Sequence, residues 1–254
     1  MTFDNMTVLV TGASSGIGNA IVKELSKESC NLILVSRRMK LLEQLKKECI
    51  LADDRCLTIQ CDVAKKEEVA AASKLAKQKF GAVDIAVLNA GAGHTVTVEN
   101  FDSRYAESTF GANLYGIIYW VEQLLPDFLE KKNGMIVGVS SLADNRGFSG
   151  SGFYCASKAA ASIYLEGLRV ELKPHNVKVI TVKPGFVKTP MTDQNKFKMP
   201  FLMPAEKAAK IILAGIKKEK RVVQFPLPMV WLTRLVGFLP GGLYEWLAAK
   251  TKVQ

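Results

Sequence analysis

Seven short apolar runs, separated by stretches of helical pattern, constrain this chain more than any other feature of it. They are Thr7–Val10, Leu32–Val35, Leu57–Ile59, Asp84–Leu88, Gly134–Val139, Val177–Val182 and Arg221–Phe225. A strand with one wet face alternates apolar and polar residues. These runs are near-continuous instead, as in strands covered on both faces. Helical sequence begins at Ile17, Ile21 and Leu25, fills 38–49, 64–79, 153–173 and 204–219, and runs from 102 to 131 in two pieces. Strand–helix alternation with right-handed crossovers predicts a Rossmann-type, doubly wound α/β fold: a parallel sheet of about seven strands with helices on both faces. No repeat or linker interrupts residues 1–225, which read as one domain, and 226–254 read as a helical C-terminal extension. A length of 254 residues suits one large α/β domain.

The first strand runs into Thr11-Gly12-Ala13-Ser14-Ser15-Gly16-Ile17-Gly18. Glycine permits positive φ and clears space for a close backbone approach. The helix that follows offers free N–H groups and a positive dipole end to phosphates. The spacing Gly-x-x-x-Gly-x-Gly differs from the more familiar Gly-x-Gly-x-x-Gly. A tight structural connection is the competing reading, and the position at the first strand–helix junction favours dinucleotide binding.

The second strand ends at Ser36, followed by Arg37 and Arg38. NAD-binding sheets usually place a carboxylate there for the ribose 2′-hydroxyl. Guanidinium groups suit a 2′-phosphate instead. The expectation is therefore NADP(H), with Arg37 as the main phosphate partner.

Tyr154 and Lys158 are four residues apart on an expected helix and share one face. A nearby ammonium favours a phenolate, which brings a tyrosine toward useful acid–base chemistry. Such pairs also decorate ordinary helix surfaces, so the company they keep decides their meaning.

With those motifs in order, the chain resembles the short-chain dehydrogenase/reductase family over roughly residues 5–225. Gly12, Ser14, Ser15, Gly16, Ile17 and Gly18 match its cofactor turn, and Asp62-Val63 matches the pair that contacts adenine. Asn89-Ala90-Gly91 matches the segment closing the fourth strand. Asn113 matches the structural, proton-relay asparagine, and Ser141 lies at the family's separation from Tyr154. Pro184-Gly185, Val187 and Thr189 match the nicotinamide-side segment. The resemblance implies that Tyr154 exchanges the proton and that Ser141 steadies the substrate oxygen. It implies that Lys158 lowers the Tyr154 pKa and binds the nicotinamide ribose, and that Asn113 holds a relay water. It also implies a homodimer or homotetramer through the helices near 102–131 and 153–173. No metal is required.

Composition narrows the rest. Five cysteines, none in Cys-x-x-Cys spacing, and two distant histidines offer neither a disulfide framework nor a zinc site. With no export-type N-terminus and no long apolar span, a cytoplasmic location is expected. Net charge is +10 overall. From Lys196 onward there are eleven Lys/Arg and three Asp/Glu, so +8 of it falls there. The residues are scattered through apolar sequence without a recognition motif, which argues against nucleic acid. A solvated basic surface and contact with an anionic membrane are the remaining readings.

Met191, Phe197, Met199, Phe201, Leu202 and Met203 crowd the segment after the sixth strand, where the resemblance places the substrate cover. This suits a lipophilic ligand or plain loop packing. His94, after the fourth strand, reads more as a solvated loop residue than as part of the substrate mouth. Beyond Phe225, Pro240 and two glycines split the tail into two short helices. Pocket cap, subunit interface and amphipathic membrane anchor are its three readings, and Trp231, Arg234, Trp246 and Lys250 suit the last. The expected function is a carbonyl reductase for a lipophilic ketone. An NAD-dependent alcohol dehydrogenase and a non-catalytic dinucleotide-sensing scaffold are the alternatives.

Overall fold

The computed structural model describes residues 1–195 and 197–250. Lys196, the Lys250 side chain and the last four residues of the tail lie outside that description. The seven expected runs form seven strands: β1 (Thr7–Thr11), β2 (Asn31–Ser36), β3 (Cys56–Gln60), β4 (Ile85–Leu88), β5 (Gly134–Val139), β6 (Val177–Pro184) and β7 (Val222–Phe225). They pair in parallel in the order β3-β2-β1-β4-β5-β6-β7.

Alternation along the strands divides two cores. Val8 and Val10 face one side with α1 (Gly16–Leu25), α2 (Met39–Glu48) and α7 (Ala205–Lys217), through Ile21, Leu42 and Ile212. Leu9 faces the other with α3 (Lys66–Phe80), α5 (Gly116–Lys131) and α6 (Gly152–Leu172), through Val69, Trp120 and Leu165. Sheet order reverses between β1 and β4, which opens a crevice beyond their carboxyl ends.

The stretch expected as two helices is one continuous run. α4 (Arg104–Phe110) passes through a π turn (Gly111–Tyr115) into α5. The wider turn carries the buried Asn113 side chain at its centre, and such turns cluster at functional sites. α6 ends in a tight turn, Lys173–His175, that accommodates Pro174 at its start. The tail forms α8 (Leu227–Phe238) and α9 (Gly241–Lys250). Its inner face buries Val230 and Thr233, and Asn145 donates to the Thr233 carbonyl at 2.9 Å. Arg146 donates to the Gly237 carbonyl at 2.9 Å. None of the described helices is long and apolar enough to cross a membrane.

Candidate active site

The glycine turn packs directly on the end of β4. Gly12 has φ +66°, and a Cβ there would lie 2.9 Å from both Ala90 Cα and Asn89 Nδ2. At Gly18 a Cβ would come within 2.4 Å of the Gly12 carbonyl oxygen. Thr11 Oγ1 accepts from the Asn89 and Ala90 amides at 2.9 and 3.0 Å, which fastens the two segments together. Ser15 caps α1 without a side-chain bond to its amides, and the first turn holds no acidic residue. Its N–H groups therefore stay available to an anion. This cradle fits a dinucleotide.

The two arginines differ in a way that residue order could not reveal. Arg38 donates through Nη2 to Ser14 Oγ at 2.8 Å and to Ser15 Oγ at 2.6 Å, so its guanidinium sits over the glycine turn. Arg37, expected to be the main phosphate partner, is solvent-exposed, 3.9 Å from Asp62 Oδ2. Both line the cleft, but Arg38 is the anchored one. Asp62 also acts locally, its Oδ1 accepting from the Ala64 amide at 3.1 Å.

Tyr154 and Lys158 project from α6 toward Ser141, which follows β5. Ser141 faces the Tyr154 hydroxyl closely enough to pull its pKa down. Lys158 Nζ donates to the Val139 carbonyl at 2.8 Å and lies 5.8 Å from the Tyr154 ring centre. Burial pushes the Tyr154 phenol above its ordinary pKa of 10.0, against the pull of Ser141. Burial also pushes Lys158 down to about 8. The lowering of the Tyr154 pKa expected from Lys158 does not appear here: burial sets the direction, and the one opposing pull comes from Ser141.

Asn113 stands behind the wall. It accepts from the Ala92 amide and donates to the Ala92 carbonyl, each at 2.9 Å, and donates to Ser157 Oγ at 2.9 Å. Its side chain thus braces the segment leaving β4.

One cleft of about 1020 Å³ collects all the expected site residues except Gly18 and Asn113, which support it from behind. Sequence reading passed over Arg104 and Tyr105 at its mouth, because nothing marks them before α4 is placed. His94 also lines the mouth, its ring 4.7 Å from that of Tyr105, although it is solvent-exposed as well. Of the apolar cover segment Met191 reaches the cleft, whereas Phe197, Phe201 and Leu202 are exposed and Met203 is buried beside Val187. No tail residue lines the cleft among those described.

Fold, glycine cradle and Tyr–Lys–Ser cluster together define an oxidoreductase of the nicotinamide-dinucleotide-binding class. A sequence profile described as short chain dehydrogenase matches residues 6–199. An uncharacterized oxidoreductase of Myxococcus xanthus is 34% identical over 246 residues, covering 97% of each chain. The chain belongs to the short-chain dehydrogenase family. An alcohol dehydrogenase from Thermococcus sibiricus, solved with 5-hydroxy-NADP, superposes with TM-score 0.78 at 26% identity over 87% of this chain and 95% of that one. A Burkholderia phymatum short-chain dehydrogenase/reductase in complex with NAD gives TM-score 0.84 at 20% identity, covering 100% and 98%, a likeness of fold alone.

Proposed function

We propose that this protein is an NADP(H)-dependent carbonyl reductase for a lipophilic ketone. The observation that carries the reading is the Tyr154 hydroxyl facing Ser141, with Lys158 close by, in the same cleft as the glycine cradle and Arg38. Ser141 donates to the substrate oxygen as negative charge builds there. Tyr154 supplies the proton, and the adjacent Lys158 ammonium stabilises the phenolate left behind. Bound NADPH would supply the hydride. The Tyr154 phenol holds its proton at neutral pH and so starts in the form that reduction uses. Arg38 and Arg37, at the end of β2, would hold the 2′-phosphate, while Gly12, Gly16 and the first turn of α1 receive the pyrophosphate.

Met191, which reaches the cleft, supports an apolar substrate. With NADPH, kcat/KM is expected to rise from 2-butanone to 2-dodecanone, by up to about fourfold per buried methylene. A flat series, or a preference for small sugars, removes the lipophilic assignment.

Two partner readings accompany this one. Exposed Tyr115, Ile163 and Val170 support self-association across the α4–α5 and α6 faces. On α8, Leu227, Trp231, Leu235 and Phe238 form an outward apolar stripe, with Trp231 62% and Phe238 87% exposed. Together with the +8 charge from residue 196 onward, it suits an anionic bilayer surface. Light scattering after gel filtration, with and without phosphatidylglycerol vesicles, tests both. A monomer mass removes the first reading, and failure to co-elute with vesicles removes the second.

A further inference from the structure

The inward stripe of α6 does not stop at the Tyr–Lys pair. Ser162 follows Lys158 by four residues, as Lys158 follows Tyr154. It is buried, its hydroxyl donates to the Asp144 carboxylate, and it lies 2.8 Å from Ser140 Oγ. Ser140 donates to the Lys158 carbonyl at 2.8 Å. From β6, Lys183 Nζ meets Asp144 Oδ2 at 2.7 Å, with the Asp144 side chain only 7% exposed. Asp144 closes the short turn Leu142–Asp144 that Ser141 caps, Ser141 Oγ accepting from the Ala143 amide at 3.1 Å. A charge pair this well covered is costly to desolvate and is not a stabilising device by default. The proposed proton transfer leaves it unused.

We infer that Asp144 and Lys183 form a positioning pair, pinning the turn that aims Ser141 at the Tyr154 hydroxyl and setting the charge that this hydroxyl feels. The inference rests on reading Tyr154 as the proton donor. The charged and titratable neighbours are Lys158 and Cys155 on α6, Asp144 on the turn, and Lys183 behind it on β6. Tyr244 of the tail donates to the Gly147 carbonyl with Arg146 against its ring, and His94 stands at the mouth. The Asp144 anion disfavours the phenolate and favours the Lys158 ammonium. Lys183 offsets part of that charge.

The signs follow. Asp144→Asn removes the anion, so Tyr154 ionises at lower pH. Lys183→Met leaves the anion uncompensated, so Tyr154 ionises at higher pH. Absorbance at 295 nm is titrated for each protein against the same protein carrying Tyr154→Phe, which isolates this tyrosine and needs no substrate. Midpoints displaced in those opposite directions by about half a pH unit or more are expected, with Lys183→Arg close to the unaltered protein. If one single variant does not fold, the other still carries the test. A midpoint that is unmoved, or moved the wrong way, overturns the inference. Because no turnover is measured, that failure is distinct from failure of the reductase assignment, which falls if Tyr154→Phe alone leaves ketone reduction intact.

Discussion

Tyr154→Phe is expected to cut the ketone-reduction kcat by about 10³-fold, within the 10²–10⁴ that a positioned acid contributes, while NADPH affinity stays within about twofold. The variant removes one oxygen atom. On the proposed reading it loses the proton donor and one of two hydrogen bonds to the substrate oxygen, and Ser141 loses its phenol neighbour. The glycine cradle and Arg38 lie elsewhere in the cleft and are untouched. Stopped-flow or steady-state loss of NADPH absorbance gives the rate, and NADPH fluorescence gives binding. Retained turnover would point away from Tyr154 as the acid. A protein that binds NADPH but reduces no carbonyl, with or without the phenol, would favour the scaffold alternative.

Arg38→Ala is expected to weaken NADPH binding by about 10–100-fold, as the loss of charge-assisted hydrogen bonds implies, and to leave NADH nearly unchanged. Arg37→Ala should cost less. Its guanidinium is exposed in solvent and shared with Asp62 at 3.9 Å, where charge interactions are screened. Arg38 is already oriented by two serine hydroxyls, so less side-chain entropy is lost when a phosphate arrives. Dissociation constants for both nucleotides against both variants decide the matter. Equal NADH and NADPH affinities in the unaltered protein would instead favour an NAD-dependent alcohol dehydrogenase.

The candidate site was largely legible before folding because its parts are local. A turn needing glycine, a helix presenting Tyr154 and Lys158 on one face, and a serine at a strand end are each written over a few residues. What stayed hidden was every contact made across the sheet. Arg38 bonds serines 23 and 24 residues away. Lys183 reaches Asp144 between two different strand ends, and Arg146 reaches the tail. Nothing in the neighbourhood of these residues announces their partners.

Sequence alone settled the parallel sheet, its two-sided helix cover and the residues at the strand ends, because hydrophobic period and turn chemistry are short-range properties. Tertiary structure alone decided which arginine is anchored over the glycine turn and which acid lies beneath Ser141. It also decided that burial drives the Tyr154 and Lys158 proton affinities in opposite directions. Desolvation and charge pairing depend on what surrounds a group in space, and that surrounding exists only once distant segments have closed upon it.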